Sequence, residues 1–244
     1  SPAQVTAHSD LVILCVTGSP QVEEAVFGEK GVIKGARPGL IIADCSTAEP
    51  DATVRLAGEL AKSDITLVDT PLTRTPKEAE AGRLGMMTGG DPGILSRIRP
   101  VMDSFADTII HAGPGGSGHR LKLINNFLSL SHAAIAAEAI AVAAKAGVSM
   151  QALKDIVVAG GANSVMFERL IKLPLEGDDS AAKFAIVNAR KDLRYYAAMA
   201  ENQSSAAFLA EQVLQLYSLA VGLGHGERYV PRMVDVMMEF GGGK

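Results

Sequence analysis

Strand and helix signals alternate along the first half of this chain, and after Gly118 the strand signals stop. Leu11 to Val16 is an unbroken apolar run, as a strand buried on both faces should be. It ends at Thr17-Gly18-Ser19-Pro20, where Ser19 reads as a helix cap and Pro20 as the first helical residue. Gly39 to Asp44, Ile65 to Asp69, Arg83 to Thr88 and Thr108 to His111 read as further strands, with helices near 50–61 and 92–105. Such alternation predicts a wound parallel sheet whose ligands meet the C-terminal ends of the strands. From about residue 119 the period is helical, with helices expected near 119–146, 149–158, 163–172, 182–201 and 205–222. The fold class is therefore α/β, a Rossmann-like sheet domain over residues 1–115 followed by an all-helical domain over 116–244.

Composition narrows the function. Hydrophobic residues make up 48% of the chain and charged residues 20%, a globular balance. A net charge of -4 leaves no basic footprint for nucleic acid. The most apolar stretch, Ala133 to Ala146, carries Glu138 and Lys145 and reads as too short to span a bilayer. The two cysteines, Cys15 and Cys45, lie in apolar strand-like segments and read as buried free thiols. A cytoplasmic protein without a membrane or nucleic-acid partner is the expectation. The five histidines have no metal-ligand spacing, so no metal site is expected.

The chemistry gathers at Gly113-Pro-Gly-Gly-Ser-Gly118, which opens directly into His119-Arg-Leu-Lys122-Leu-Ile-Asn-Asn126. Glycines at a helix start let backbone donors approach an anion or a planar ligand, which makes Gly116 a cofactor candidate. Lys122 and Asn126 are four apart and share one helix face. A lysine there can protonate a carbonyl oxygen as hydride arrives, with Asn126 holding the lysine or the substrate oxygen. Alone, Lys-x-x-x-Asn is more often a solvated surface pair.

The longer pattern changes that balance. Gly113, Gly116, Gly118, Lys122 and Asn126 fit Gly-x-x-Gly-x-Gly-x-x-x-Lys-x-x-x-Asn, and the chain resembles the β-hydroxyacid dehydrogenase family on that stretch. The family includes 3-hydroxyisobutyrate dehydrogenase and tartronate semialdehyde reductase. The resemblance implies hydride transfer between NAD or NADP and a small β-hydroxy acid or acidic semialdehyde. It makes Lys122 the general acid and base and Asn126 its assistant at the substrate. It also implies a cofactor role for Thr47, at the end of the Asp44-Cys-Ser-Thr47 strand. Lys191 would face the cofactor and Phe184 line the pocket; without that context they read as a charged surface and a core residue.

Asp69-Thr-Pro-Leu-Thr-Arg-Thr-Pro76 departs from the family pattern, which has Ser-Gly-Gly where this chain has Thr73, Arg74 and Thr75. A guanidinium and two hydroxyls can still grip an acid group. The change also keeps open a sulfonate-bearing aldehyde of the sulfolactaldehyde kind as substrate. Tyr229 to Pro231 departs from the family's closing segment as well. The resemblance begins partway into the nucleotide domain, so the Gly-x-Gly-x-x-Gly unit that holds a pyrophosphate is expected to be missing from these residues. That leaves a non-catalytic helical dimerisation module as the rival reading. Imine reduction is disfavoured by Lys122. The small apolar faces beyond Gly118 predict a homodimer or higher homo-oligomer.

Overall fold

The computed structural model describes residues 1–240 and falls into two compact units, Ser1–Ile124 and Asn125–Lys244. In the first unit the elements run α1 (Pro2–Thr6), β1 (Leu11–Leu14), α2 (Ser19–Phe27), β2 (Ile41–Asp44), α3 (Pro50–Ala61), β3 (Thr66–Asp69) and β4 (Leu72–Thr73). They continue with α4 (Pro76–Glu80), β5 (Leu84–Gly89), α5 (Pro92–Met102), β6 (Ala106–Gly113) and the start of α6 (Ser117–Lys145). β1, β2 and β3 are parallel neighbours in a register that aligns Leu14 with Asp44 and Asp44 with Asp69. All four residues of β2 are buried, as the apolar run predicts for a central parallel strand.

The other half of the sheet turns round. β5 meets β3 antiparallel at Asp69 and Gly89, pairs antiparallel with β4, and runs parallel to β6. The sheet is thus parallel-dominated with a reversed edge. The short β4, together with α1 and α4, was not visible as a hydrophobic period because none is long enough to show one. The reversal brings the C-terminal ends of β3, β5 and β6 to one place, since Gly89 aligns with both Asp69 and Gly113. α6 begins four residues after β6 ends, so its first turn lies where those strand ends converge.

Side chains from both sheet faces form cores. Val12, Leu14, Val26, Ile42, Leu60 and Leu67 pack on one side, and Ile41, Val68, Met86, Ile98 and Met102 on the other. Each fully buried aliphatic side chain contributes about 1.5–3 kcal/mol. Cys45 lies inside as expected, whereas Cys15 is exposed, because it follows the last paired residue of β1.

In the second unit α6 continues and is followed by α7 (Met150–Val158), α8 (Val165–Leu170), α9 (Lys172–Glu176), α10 (Ile186–Asn202), α11 (Phe208–Gly222) and α12 (Met233–Phe240). Ala133, Ala137 and Ile140 of α6 sit in one core with Leu170, Leu193, Tyr217 and Met233. α6 has 29 residues and is long and apolar enough, by length and composition, to cross a membrane. The helix expected near 119–146 starts two residues earlier, at Ser117, and the stretch Ala133 to Ala146 that reads as too short for a bilayer is only part of it. Its alanine face is packed against neighbouring helices of this unit, which accounts for the apolar composition. α10 starts later than the expected residue 182, because the chain before it is extended: Val230 N donates to Phe184 O and Ile186 N to Arg228 O.

Candidate active site

The strand ends of the first unit are held by polar side chains that answer one another. Ser46 Oγ accepts from Val16 N at 3.0 Å, so the loop after β2 is tied to the end of β1. Asp44 Oδ1 accepts Ser46 N at 2.9 Å. Ser19 was expected to cap α2, but Gly18 is the capping residue, and the Ser19 hydroxyl instead accepts Glu49 N at 2.8 Å. Cys45 Sγ lies 3.2 Å from Thr70 Oγ1, and burial pushes the Cys45 thiol up to about 12, which keeps it protonated and inert near neutrality. Thr47 follows in this loop, half-buried and two residues before the cap of α3.

The glycine run meets an anion, but an internal one. Gly116 N donates to Asp69 Oδ1 at 2.7 Å and His119 N to Asp69 Oδ2 at 2.9 Å. Asp69 is fully buried, so its carboxylate serves as the acceptor that the first turn of a helix otherwise lacks. The backbone donor expected of Gly116 for a cofactor is thereby used up inside the protein. Gly116 has φ +87°, a left-handed conformation that favours glycine. At Gly118 the reason is closeness: a Cβ there would lie 2.6 Å from Met87 O and 2.8 Å from Asp69 Oδ2. The glycines let α6 start against the strand ends, and Lys122 follows one turn later, half-buried.

Thr73, Arg74 and Thr75 stand together at the β4–α4 turn, but their side chains are occupied. The Thr73 methyl covers Gly85, and Thr75 exchanges hydrogen bonds with Glu78 as a capping box on α4. Arg74 donates to Asp107 Oδ1 at 2.6 Å, to Thr108 Oγ1 at 2.9 Å and to the carbonyl of Arg83. The guanidinium expected to meet a substrate acid is instead clamped to the edge strand β6. The neighbouring Thr108 hydroxyl and then Arg74 hold the Asp107 carboxyl below its ordinary range. Arg74 has φ +82°, in the left-handed region that favours glycine. Such a conformation costs on the order of 1–2 kcal/mol for a residue with a Cβ. Arg74→Gly relieves that cost while losing an exposed ion pair worth at most about 1 kcal/mol, so stability is expected to change little. A denaturation midpoint shifted strongly downward would show that the guanidinium contacts dominate.

In the second unit Asn126 Nδ2 donates to Asp192 Oδ2 at 2.6 Å, and Asn126 Oδ1 accepts from Asn125 Nδ2 at 3.3 Å. Lys191 Nζ lies 3.0 Å from Asp192 Oδ1 and 5.2 Å from the centre of the Tyr195 ring. Asn126 and Lys191 are thus joined through a buried carboxylate that sequence reasoning did not single out. A signal existed: an acidic residue directly after Lys191, on a helix where its position falls among core residues. Phe184 is half-buried and packs against the helical core. Lys122 and Asn126 lie four residues apart on α6, Lys122 in the first unit and Asn126 in the second. Among the described residues no cluster of His, Cys, Asp and Glu could hold a metal ion.

Residues 1–113 match the family described as the NAD binding domain of 6-phosphogluconate dehydrogenase. Residues 116–237 match the NAD-binding domain of NADP-dependent 3-hydroxyisobutyrate dehydrogenase. An uncharacterised oxidoreductase of Synechocystis sp. is 32% identical over 95% of this chain and 80% of its own. The L-threonate dehydrogenase of Cupriavidus necator is 30% identical over 93% of this chain and 76% of its own. The crystal structure of 3-hydroxyisobutyrate dehydrogenase from Salmonella typhimurium superposes with a TM-score of 0.86 at 26% identity, covering 97% of this chain and 82% of that one.

The strand ends suit a nicotinamide cofactor. They carry hydroxyls and main-chain groups at Thr17, Gly18, Ser46 and Thr47. The two carboxylates among them, Asp44 and Asp69, are buried and accept main-chain N–H groups of the protein. The chain belongs to the β-hydroxyacid dehydrogenase family and is a hydroxyacid oxidoreductase that uses NAD or NADP.

Proposed function

We propose that Lys122 is the proton carrier of this oxidoreductase, giving a proton to the substrate oxygen in reduction and removing it in oxidation. The observation that carries this reading is the anchoring of α6: Asp69 fixes its first turn at the converging strand ends, one turn before Lys122. The bound cofactor supplies or accepts the hydride. Asn126, oriented by Asp192, presents an amide to the substrate, and Thr47, Lys191 and Phe184 hold the nicotinamide end of the cofactor. The Arg74 guanidinium and both the hydroxyl and the N–H of Thr75 are engaged within the protein, so the Thr73–Thr75 segment receives the substrate's acid group through main-chain groups other than the Thr75 N–H. The sulfonate alternative drew on Arg74, whose pairing with Asp107 and Thr108 removes its particular support; a carboxylate substrate is preferred. The test is absorbance of the reduced cofactor with 3-hydroxyisobutyrate, L-threonate, 2-(hydroxymethyl)glutarate and sulfolactaldehyde, each with NAD and NADP. Turnover restricted to the sulfonate would overturn the preference.

We also propose that the protein is a cytoplasmic homodimer. Leu128, Ile135 and Val142 repeat every seven residues along α6 and are 52%, 66% and 61% exposed, three large apolar side chains on one face that a second copy would cover. Light scattering at tens of micromolar should give twice the 25.4 kDa chain mass, and Ile135→Glu should halve it. A parent protein of single-chain mass would contradict the assignment.

A further inference from the structure

His119 has no solvent exposure, yet both ring nitrogens have polar neighbours. Nε2 lies 3.1 Å from the carbonyl oxygen of Ser46, and Nδ1 lies 2.8 Å from Thr53 Oγ1. A carbonyl oxygen only accepts, so Nε2 carries hydrogen and donates to Ser46. In the neutral ring Nδ1 then accepts, and the single hydroxyl hydrogen of Thr53 is directed to it. The Glu49 carbonyl, 3.1 Å from the same hydroxyl, is the lesser partner. The Asp44 carboxylate stands 3.9 Å from Nε2, on the side where the ring's N–H is positive. The main chain of the same residue is held by Asp69.

One residue therefore joins three elements of the first unit. Its backbone belongs to the first turn of α6, its Nδ1 faces α3, and its Nε2 reaches the loop that leads from β2 to Thr47. We propose that His119 is a positioning residue that fixes the distance between the helix turn bearing Lys122 and the strand end bearing Thr47. The proposal rests on the reading of Lys122 as proton carrier and of the Ser46–Thr47 loop as cofactor-facing. A shift of about 1 Å between a proton carrier and the reacting centre can cost 10²-fold in rate, so a buried clamp here acts on turnover more than on binding.

Two conservative variants separate the contacts. The amide of a glutamine reproduces the donor at Nε2, and the amide of an asparagine reproduces the group at Nδ1. His119→Asn keeps a partner for Thr53 and loses the donor to Ser46. It should lower kcat roughly 10–100-fold with KM changed by no more than about threefold, whereas His119→Gln should recover kcat to within about threefold of the parent. The substrate is whichever of 3-hydroxyisobutyrate, L-threonate and 2-(hydroxymethyl)glutarate the parent protein turns over fastest. Hydrogen exchange of the 44–49 backbone needs no substrate and should be faster in the asparagine variant than in the glutamine variant. A purely structural histidine would let both variants lose thermal stability alike and keep kcat per folded chain. An asparagine variant within twofold of the parent kcat, or equal exchange in the two variants, overturns the proposal. Lys122→Met in the same series judges the proton-carrier reading separately: if it keeps turnover, that reading fails, while the exchange result still decides whether His119 clamps the loop.

Discussion

Lys122→Ala is expected to lower kcat roughly 10²–10⁴-fold, the range a positioned acid or base contributes. The argument runs from geometry to rate. Asp69 takes two backbone donors of the first turn of α6, and His119 ties the same turn to the loop after β2, so Lys122 sits on a helix start that has little freedom to move. Only a group held in this way is already in place when charge develops on the substrate oxygen. Alanine keeps the helix, since it is the best helix former, and should leave folding intact. Because the cofactor's contacts are assigned to other residues, affinity for NADH or NADPH, whichever the parent uses, followed by fluorescence titration should stay within about threefold of the parent. A loss confined to KM would mean that Lys122 binds substrate without moving a proton. Near-normal kcat would remove it from the chemistry.

The architecture was legible in the sequence because hydrophobic period responds to burial. β2 is buried along its whole length and reads as an unbroken apolar run, and the change to helical period after Gly118 marks where the sheet ends. The glycine motif was legible as a tight helix start, but its partner was not. Asp69 lies 47 residues from Gly116, and nothing local indicates which anion the donors meet. Arg74 shows the opposite limit. Its residue type pointed to acid recognition, whereas its direction is set by a positive φ and by Asp107 and Thr108 on a strand 33 and 34 residues away. Local propensity carries no information on such pairings. Asp192, next to Lys191 in the Phe-x6-Lys-Asp-Leu pattern, carries no role in the sequence reading because a carboxylate beside a lysine looks like an ordinary charged face until the helix is placed against Asn126.

Asp69→Ala should be the most destabilising single substitution among the site residues, at about 2–6 kcal/mol, because two buried donors each lose a partner at roughly 1–3 kcal/mol. The carboxylate is fully buried, its two oxygens meet Gly116 N and His119 N, and its negative charge lies at the start of a 29-residue helix. Two glycines have given up a side chain to make room for it. A Cβ at Gly89 would stand 2.7 Å from its oxygens, and one at Gly118 would stand 2.8 Å from Oδ2. Water entering the space left by alanine would recover part of the loss, which sets the lower end of the range. Asp69→Asn keeps one oxygen for one donor but turns an amide N–H toward the other, so it should fall between alanine and the parent. The measurement is the free energy of unfolding by denaturant, with amide exchange at Gly116 and His119 to show where the structure loosens. Faster exchange at those two amides should come with a fall in kcat, since the turn that loosens is the one that leads to Lys122. A destabilisation below about 1 kcal/mol with both amides still protected would mean that another acceptor replaces the carboxylate, and that Asp69 does not anchor the helix.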